Sequence, residues 1–271
     1  MTKVLLIGLG SIGRRHAINL KRIAPECHII GADPFIKSTL DFVGLLDCSM
    51  ASADSAIRTH ADADFAIIAS PDAAHLEQMM QLAENRIPFL VEKPIVAPQQ
   101  LGALDDVIRT VNARGLRCAC DFQYRFHKSA AKVRAAASQK SLKFYARDSL
   151  LARYGPNVLG SMLAHPIDTA LWCLGEARQV QINSDGVRAR GKIVHNSGAE
   201  SWFDVDMDAG ERVSTVTYPS GFTSLVVDDD AYVRCLRAYI EWLQTDKRDY
   251  RTATLEQARD VVEVMWKCQK S

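Results

Sequence analysis

The N-terminal 120 residues alternate short apolar runs with segments of helical length. The apolar runs are Val4–Gly8, Cys27–Gly31, Phe65–Ala69, Pro88–Val91 and Leu116–Cys120. Runs this continuous are typical of strands buried on both faces of a parallel sheet. Between them, Ser11–Ala24, Ala73–Asn85 and Gln99–Arg114 repeat apolar residues at helical spacing. The pattern predicts a doubly wound α/β domain of the Rossmann type over residues 1–121.

After residue 121 the pattern changes. Helical stretches are predicted over Lys128–Ser138 and Gly160–Leu174, and two more, Ala231–Gln244 and Leu255–Gln269, close the chain. The strand-like runs are Leu142–Ser149, Val180–Ser184, Glu200–Met207, Arg212–Tyr218 and Phe222–Asp228. Several of them alternate polar and apolar residues, which is typical of an antiparallel sheet with one open face. Residues 122–271 are therefore predicted to form an α+β domain with an open, largely antiparallel sheet.

Composition and charge argue against several classes of binding partner. The chain has 271 residues with 33 basic and 32 acidic side chains, a net charge of +1. That balance gives no broad basic face for nucleic acid or an anionic membrane. No apolar run approaches the roughly 20 residues of a membrane span, and we expect no signal peptide. The seven scattered cysteines include no C-x-x-C, so we expect reduced thiols, no metal site and a cytoplasmic protein.

A glycine motif follows the first predicted strand. The hexamer from Gly8 to Gly13 reads G-x-G-x-x-G and opens a helix, which is the context that makes it a dinucleotide fingerprint. Gly8 permits a tight turn, Gly10 lets the backbone approach a diphosphate, and Gly13 lets helix and strand pack closely. The N–H groups of Ser11 and Ile12 would then meet the diphosphate. The alternative is a tight turn without a ligand.

Three further positions belong with this motif. Asp33 ends the second strand, 20 residues after Gly13. An acid there hydrogen-bonds the ribose and repels a 2′-phosphate, which favours NAD(H), with NADP(H) as the alternative; a plain turn residue is the other interpretation. Ser70 and Pro71 follow the Phe65–Ala69 strand, so we expect them in the cofactor groove at the carboxyl edge of the sheet. His75 is expected to orient this loop.

Glu92, Lys93 and Pro94 follow the next strand of the sheet, where we expect Glu92 and Lys93 to contact the cofactor beside its nicotinamide. A lysine at this edge can polarise a substrate oxygen as hydride moves, and Glu92 can position its neighbours. A cis peptide before Pro94 would aim the lysine inward. The alternative is an ordinary surface Glu–Lys pair at the end of a strand.

Together these motifs resemble the Gfo/Idh/MocA oxidoreductases, which include glucose–fructose oxidoreductase and inositol dehydrogenases. The resemblance continues in the Q-Y-R-F-H stretch over residues 123–127. It also covers the H-P-I-D stretch that begins at His165 and the W-C-L-G stretch over residues 172–175. It thus spans nearly the whole chain, although the second domain is short for the family.

The resemblance implies an NAD(P)-dependent dehydrogenase or reductase that moves a hydride between nicotinamide and a CH–OH carbon of a sugar, a nucleotide sugar or a cyclitol. It implies that Lys93 and His165 flank the reacting carbon, with His165 as the general acid/base. Arg125, Ser161 and Asp168 are candidate substrate contacts, and Asp168 could instead stabilise its helix. The second domain would bind substrate and associate with other copies, giving a homodimer or homotetramer.

One departure from the family pattern leaves a second hypothesis open. Many members carry an aspartate one helical turn before the histidine, on the same helix face. Ser161 stands there, and serine cannot hold the charge that would orient the histidine. With the short second domain, this keeps a non-catalytic dinucleotide-binding sensor or scaffold of the same fold as the alternative function.

Overall fold

A computed structural model describes residues 2–35, 42, 44–226 and 229–268. The chain divides into two compact units. The first unit comprises Met1–Asp121 and Tyr232–Glu256, and the second comprises Phe122–Ala231 and Gln257–Ser271. The domains proposed from the sequence, 1–121 and 122–271, have their boundary at the same position. The first unit also takes a segment from the C-terminal part of the chain.

The first unit contains a six-stranded sheet in which every neighbouring pair is parallel. Its strands are β1 (Lys3–Ile7), β2 (His28–Ala32), β3 (Cys48–Met50), β4 (Phe65–Ile68), β5 (Phe89–Glu92) and β6 (Ala119–Asp121). Their spatial order is β3-β2-β1-β4-β5-β6. The helices between them are α1 (Ser11–Ile23), α2 (Ala53–Thr59), α3 (Asp72–Glu84) and α4 (Leu101–Ala113). The doubly wound parallel sheet that the apolar runs predict is confirmed.

The core of this unit explains the continuous apolar runs. Val4 and Leu6 of β1, Ile29 of β2 and Phe65 of β4 are at most 1% exposed and belong to one apolar cluster. Each such side chain contributes about 1.5–3 kcal/mol when fully buried. Tyr239, from near the C-terminus, joins the cluster, and its ring meets Phe65 edge to face at 5.8 Å. The C-terminal segment is therefore part of the first unit's core.

The second unit is built on a mixed sheet. Its strands are β7 (Ser141–Ser149), β8 (Ala177–Ser184), β9 (Arg188–His195), β10 (Glu200–Asp206), β11 (Asp208–Tyr218) and β12 (Gly221–Ser224), in the order β12-β11-β7-β10-β9-β8. Only the β7–β10 pair is parallel among the pairs of these strands. The remaining α-helices that the structure describes are α5 (Ala130–Ala136), α6 (Leu151–Tyr154), α7 (Ala164–Leu174), α8 (Asp229–Thr245) and α9 (Leu255–Cys268). Most of α8 belongs to the first unit. The expected α+β fold with a largely antiparallel sheet is confirmed.

One face of this sheet is covered and the other is open. In β10, Ser201, Phe203 and Val205 are buried, and Phe203 stacks on Phe144 of β7 at 5.3 Å. Trp202, between them, points the other way and is 39% exposed. The alternation follows from the two-residue period of a strand, which puts successive side chains on opposite faces.

A few elements were not predicted. The short β3 and α2, and the strand β9, carry weak apolar periodicity and were not anticipated from the pattern. Residues 227–228 of one predicted strand and residue 269 of the last predicted helix lie outside the described residues. Among the helices that the structure describes, none is both long and apolar enough to span a bilayer.

Candidate functional site

The glycine motif forms a loop between β1 and α1. Gly8 has φ +91°, and a Cβ there would lie 2.4 Å from the backbone nitrogen of Ser70. A Cβ on Gly13 would lie 2.0 Å from the carbonyl oxygen of Gly8. A Cβ on Gly10 would meet nothing within 4 Å. Gly8 and Gly13 are thus required by the protein's own packing, whereas Gly10 borders open space.

That open space lies at the start of α1. Gly10 is the N-cap residue and supplies no side-chain cap, so α1 begins with backbone groups rather than a capping side chain. The first N–H groups of a helix have no partner inside the helix, and the helix dipole favours an anion at this end. Gly10 and the exposed Ser11 therefore fit the diphosphate of a dinucleotide. Ile12 follows them, half-buried.

Asp33 lies beside the same loop, directly after β2. Its Oδ2 accepts a hydrogen bond of 2.7 Å from the N–H of Leu9, and its Oδ1 accepts one of 2.8 Å from the N–H of Phe35. The carboxylate is half-buried and fixed in orientation. Each carboxylate oxygen can accept a second hydrogen bond, so ribose hydroxyls can still bind here.

His75 joins two loops at the carboxyl edge of the sheet. Its Nε2 lies 2.8 Å from the carbonyl oxygen of Ser70, at the end of β4. Its Nδ1 lies 3.1 Å from that of Pro94, after β5. Burial lowers the pKa of His75, although its contacts with backbone carbonyls oppose that shift. The ring is buried and holds the Ser70–Pro71 loop against the lysine turn.

Lys93 lies in this turn, half-buried, and the Lys93–Pro94 peptide is cis, as the sequence suggested. Burial lowers the pKa of the Lys93 ammonium, while the charges of Glu92 and Asp121 oppose that shift. A lowered pKa reduces the cost of releasing the lysine proton. Lys93 thus combines a positive charge with a proton that it can exchange.

Glu92 faces inward, towards His16, a histidine that belongs to none of the sequence motifs. Its Oε1 lies 2.9 Å from Nε2 of His16, and Asp121 Oδ2 lies 3.7 Å from the same nitrogen. All three side chains are buried. Burial alone would lower the pKa of His16, but its hydrogen bond to Glu92 and the two carboxylate charges raise it above the usual value. This buried cluster therefore favours a protonated His16.

The distances within this cluster also fit those between the ligand atoms of a metal ion. One ligand atom from each of His16, Glu92 and Asp121 lies within 4.8 Å of the others. A metal ion would compete there with the positive charge of Lys93, and the absence of a metal site stays a prediction. The signal for the cluster lay in α1, where His16 shares a buried face with Leu20 at i+4.

His165 lies in the second unit, near the start of α7. A π-helical turn, Leu159–Leu163, precedes this helix. Pro166 has no N–H to donate back along the helix, and a local π-turn is one way for a helix to accommodate that loss. His165 is 8% exposed, and its ring stacks on Tyr124 with centroids 4.6 Å apart and planes 9° apart. Phe122 meets it edge-on at 5.9 Å.

The structure pairs two of the predicted substrate residues with each other. Arg125 and Asp168 are 2% and 0% exposed, and Nη2 of Arg125 donates to Oδ1 of Asp168 at 2.6 Å, with a second bond from Nε to Oδ2 at 2.9 Å. Nη1 donates to Gln257 at 2.8 Å. Their role as substrate contacts stays a prediction. Ser161, half-buried, lies in the π-helical turn one turn before His165.

The predicted site residues thus form two groups. In the first unit, the glycine loop, Asp33, Ser70 with Pro71, His75 and the lysine turn line one edge of the sheet. In the second unit, His165 and the Arg125–Asp168 pair lie on and against α7.

A family model described as an oxidoreductase family with an NAD-binding Rossmann fold matches residues 2–122. This agrees with the preference for NAD(H). No curated relative matches the sequence of the chain. Nothing in these comparisons favours the non-catalytic alternative.

Solved structures resemble nearly the whole chain. A probable dehydrogenase from Thermotoga maritima has a TM-score of 0.83 at 18% identity, over 99% of this chain and 96% of its own. A myo-inositol dehydrogenase from Corynebacterium glutamicum ATCC 13032 has a TM-score of 0.80 at 18% identity, over 100% and 96%. The UDP-N-acetylglucosamine 3-dehydrogenase GnnA from Acidithiobacillus ferrooxidans has a TM-score of 0.82 at 16% identity, over 99% and 96%. At these identities the similarities establish the fold of both units.

Proposed function

We propose that this chain, whose residues 2–122 match the model of an oxidoreductase family with an NAD-binding Rossmann fold, is an NAD-dependent dehydrogenase or reductase acting on a CH–OH group. One observation carries the proposal. His75 joins the Ser70 loop to the Lys93 turn, so a reactive lysine is fixed at the edge of the sheet that also carries the glycine loop. When bound, the nicotinamide supplies the hydride chemistry.

The substrate class is a sugar, a nucleotide sugar or a cyclitol. Two of the structures that resemble this chain are a myo-inositol dehydrogenase and a UDP-N-acetylglucosamine 3-dehydrogenase. Both names describe oxidation of a secondary hydroxyl group on a six-membered ring. A polyhydroxylated ring of this kind is the substrate that we assign to this chain.

Lys93 is proposed to hold the reacting oxygen. Its ammonium group stabilises the negative charge that develops on that oxygen as the C–H bond breaks. Burial lowers the pKa of Lys93, and in the same poorly solvated surroundings its ammonium charge acts more strongly on that oxygen. Glu92 and His75 act on the turn that presents the lysine: Glu92 through His16, and His75 through the backbone carbonyl of Pro94.

His165 is proposed as the general acid/base. In the oxidation direction its imidazole takes the hydroxyl proton, and in reduction the imidazolium returns it. We propose that Arg125 and Asp168 contribute by fixing α7, because each is buried and already bonded to the other. Ser161, on the turn before His165, is half-buried. Its hydroxyl group is the proposed substrate contact on that turn.

The proposed chemistry is tested with Lys93→Gln and His165→Gln. Each variant should lose about 10²–10⁴-fold in kcat with myo-inositol or UDP-N-acetylglucosamine. NADH affinity should stay within a few-fold, since neither side chain forms the glycine loop. Arg153→Gln, a surface control, should leave both quantities unchanged. Wild-type rates in both variants would refute the residue assignment, and NADH binding without turnover of either ring substrate would refute the substrate class.

A homodimer or homotetramer is proposed from the open face of the second unit's sheet. Trp202 and Tyr145 are 39% and 38% exposed there, on neighbouring strands β10 and β7. Large exposed aromatic side chains on one sheet face are typical of an interface. Trp202→Arg should lower the sedimentation coefficient at micromolar concentration, whereas Tyr250→Arg, an exposed aromatic in the first unit, should not. A monomeric wild type would contradict the proposal.

A cytoplasmic location is proposed from cysteine usage. The seven cysteines are all free thiols, and five of them are buried. Scattered reduced thiols fit a reducing compartment. Cell fractionation with thiol labelling tests this, and recovery of the protein with oxidised cysteines outside the cytoplasm would contradict it.

A further inference from the structure

The surroundings of His165 are aromatic on one face and at one edge. The Tyr124 ring covers the imidazole face at a centroid distance of 4.6 Å with the planes 9° apart, and Phe122 touches it edge-on at 5.9 Å. Parallel contact at this distance fixes the plane of the imidazole as well as its position. His165 is thus oriented by a flat ring in addition to its place on α7.

Tyr124 is itself held at its far end. Its hydroxyl lies 3.1 Å from the Oγ of Ser214 on β11. Burial raises the pKa of the Tyr124 hydroxyl above its usual value, so the phenol stays neutral at physiological pH. The ring therefore spans from the helix that carries the histidine to the sheet of the same unit.

The charge carried by the helix of His165 is already paired. The only carboxylate in α7 is Asp168, and it is bonded to Arg125, the residue next to Tyr124. One turn before His165 stands Ser161, which carries no charge. The π face of Tyr124 is electron-rich, so it attracts the positive charge that an imidazole gains when it takes a proton.

We propose that Tyr124 is a positioning residue for His165: its stacked ring sets the plane of the imidazole and stabilises the imidazolium. This rests on the proposed function, in which His165 accepts the substrate proton. Phe122 completes the orientation from the edge of the imidazole.

The test uses the full chain labelled with 15N-histidine and follows the His165 ring resonances by NMR through a pH titration, without dinucleotide or substrate. His165→Gln assigns the signal. In the wild type, the stacked Tyr124 ring should shift the His165 ring protons upfield of those of exposed histidines. Ordinary shifts for these protons would overturn the stacking itself, with no variant needed.

Variants of Tyr124 distinguish the contribution of its ring from that of its hydroxyl group. Tyr124→Phe keeps the π face and should preserve both the upfield shift and the His165 pKa. Tyr124→Leu keeps an apolar contact without a π face, so it should abolish the upfield shift and lower the His165 pKa by about 0.5–1 unit. Ser214→Ala should leave the pKa close to that of the wild type, and it remains informative if the leucine variant does not fold.

Three results would overturn the proposal. One is a leucine variant with the wild-type pKa. Another is a Tyr124→Phe variant in which the His165 pKa falls as far as it does in Tyr124→Leu, because the hydroxyl rather than the π face would then be responsible. The third is a Ser214→Ala variant in which the His165 pKa falls as far as it does in Tyr124→Leu. None of these readouts needs turnover, so a failure of the proposed chemistry at Lys93 and His165 is recognised separately, by the kinetics of their glutamine variants.

Discussion

At the scale of single residues, three glycines of one hexamer do different jobs. Gly8 and Gly13 are glycines because a Cβ would collide with the backbone of the same unit, at 2.4 and 2.0 Å. Gly10 has no such constraint, since a Cβ there meets nothing within 4 Å. Packing therefore explains two of them, and we propose that the close approach of a dinucleotide explains the third.

This difference predicts opposite outcomes for two alanine variants. Gly8→Ala should lower the free energy of unfolding by about 1–3 kcal/mol, because φ +91° and the close contact with Ser70 both oppose a side chain. Gly10→Ala should cost at most about 1 kcal/mol but weaken NADH binding at least roughly tenfold, about 1.4 kcal/mol. Urea unfolding and NADH fluorescence titration measure the two effects. Wild-type NADH affinity in Gly10→Ala would contradict the role given to this position.

The buried His16 makes a second prediction at this scale. Because its folded pKa lies above the usual 6.5, its protonation stabilises the fold fully below about pH 6.5 and less as pH rises through the folded pKa. His16→Gln should remove that contribution, about 1.5–3 kcal/mol for a hydrogen bond to a charged group. The stability difference between wild type and variant should thus shrink as pH rises.

Urea unfolding from pH 5 to pH 9 measures this difference. His28→Gln is the matched control, because His28 is half-buried and lies 3.8 Å from Asp47 at the edge of the same unit. This variant should lose about 1 kcal/mol or less, because a partly exposed ion pair contributes little. A constant difference for His16→Gln across the range would mean that His16 is neutral in the folded protein.

At the scale of elements, one buried ion pair fixes the start of the second unit to α7. Arg125 lies in a 3₁₀ turn, Gln123–Phe126, and Asp168 lies in the middle of the helix. Both side chains are buried, so neither charge is solvated if the other is removed. The pair therefore decides where α7, and with it His165, lies relative to the turn that carries Tyr124.

Asp168→Asn should accordingly lower the free energy of unfolding by about 3–5 kcal/mol, the cost of leaving a buried charge unpaired. Asp204→Asn is the control, since Asp204 pairs with Arg147 and Arg190 on the open face of the sheet and is 41% exposed. Its loss should cost about 1 kcal/mol or less. Equal effects in thermal unfolding without ligand would remove the structural role of Asp168 and favour substrate contact.

At the scale of the whole molecule, the chain crosses between its two units three times, after Asp121, Ala231 and Glu256. The last two crossings were not visible in the sequence, because α8 and α9 have similar amphipathic patterns. Whether such a helix packs on a parallel or a mixed sheet depends on shape and not on periodicity. Tyr239, in the core of the first unit, shows the outcome.

The sequence predicted most of what depends on local pattern. The parallel strands follow from continuous apolar runs, and the glycine loop follows from a motif whose residues are adjacent. The strand β9 was missed because Arg188, Arg190 and Lys192 dilute its apolar residues. The cluster of His16, Glu92 and Asp121 was missed because its members are far apart along the chain, and only the folded sheet brings them together.

The stacking of Tyr124 on His165 was beyond sequence pattern for the same reason. The two residues are 41 positions apart and lie on different elements. Both residue types are common, and the spacing of residues along the sequence carries no information on ring orientation or on the angle between ring planes. Local motifs thus indicate the candidate site, and tertiary packing determines how its groups are oriented.

The central claim is that the first unit binds NAD through the glycine loop with Asp33 beside it. The most direct measurement is fluorescence titration of NADH and NADPH on the wild type and on Asp33→Asn, which keeps an oxygen for the Leu9 N–H and removes the charge. We predict that the wild type binds NADH more tightly and that the variant loses most of this preference. No binding of either dinucleotide at millimolar concentration, or tighter binding of NADPH by the wild type, would contradict the account.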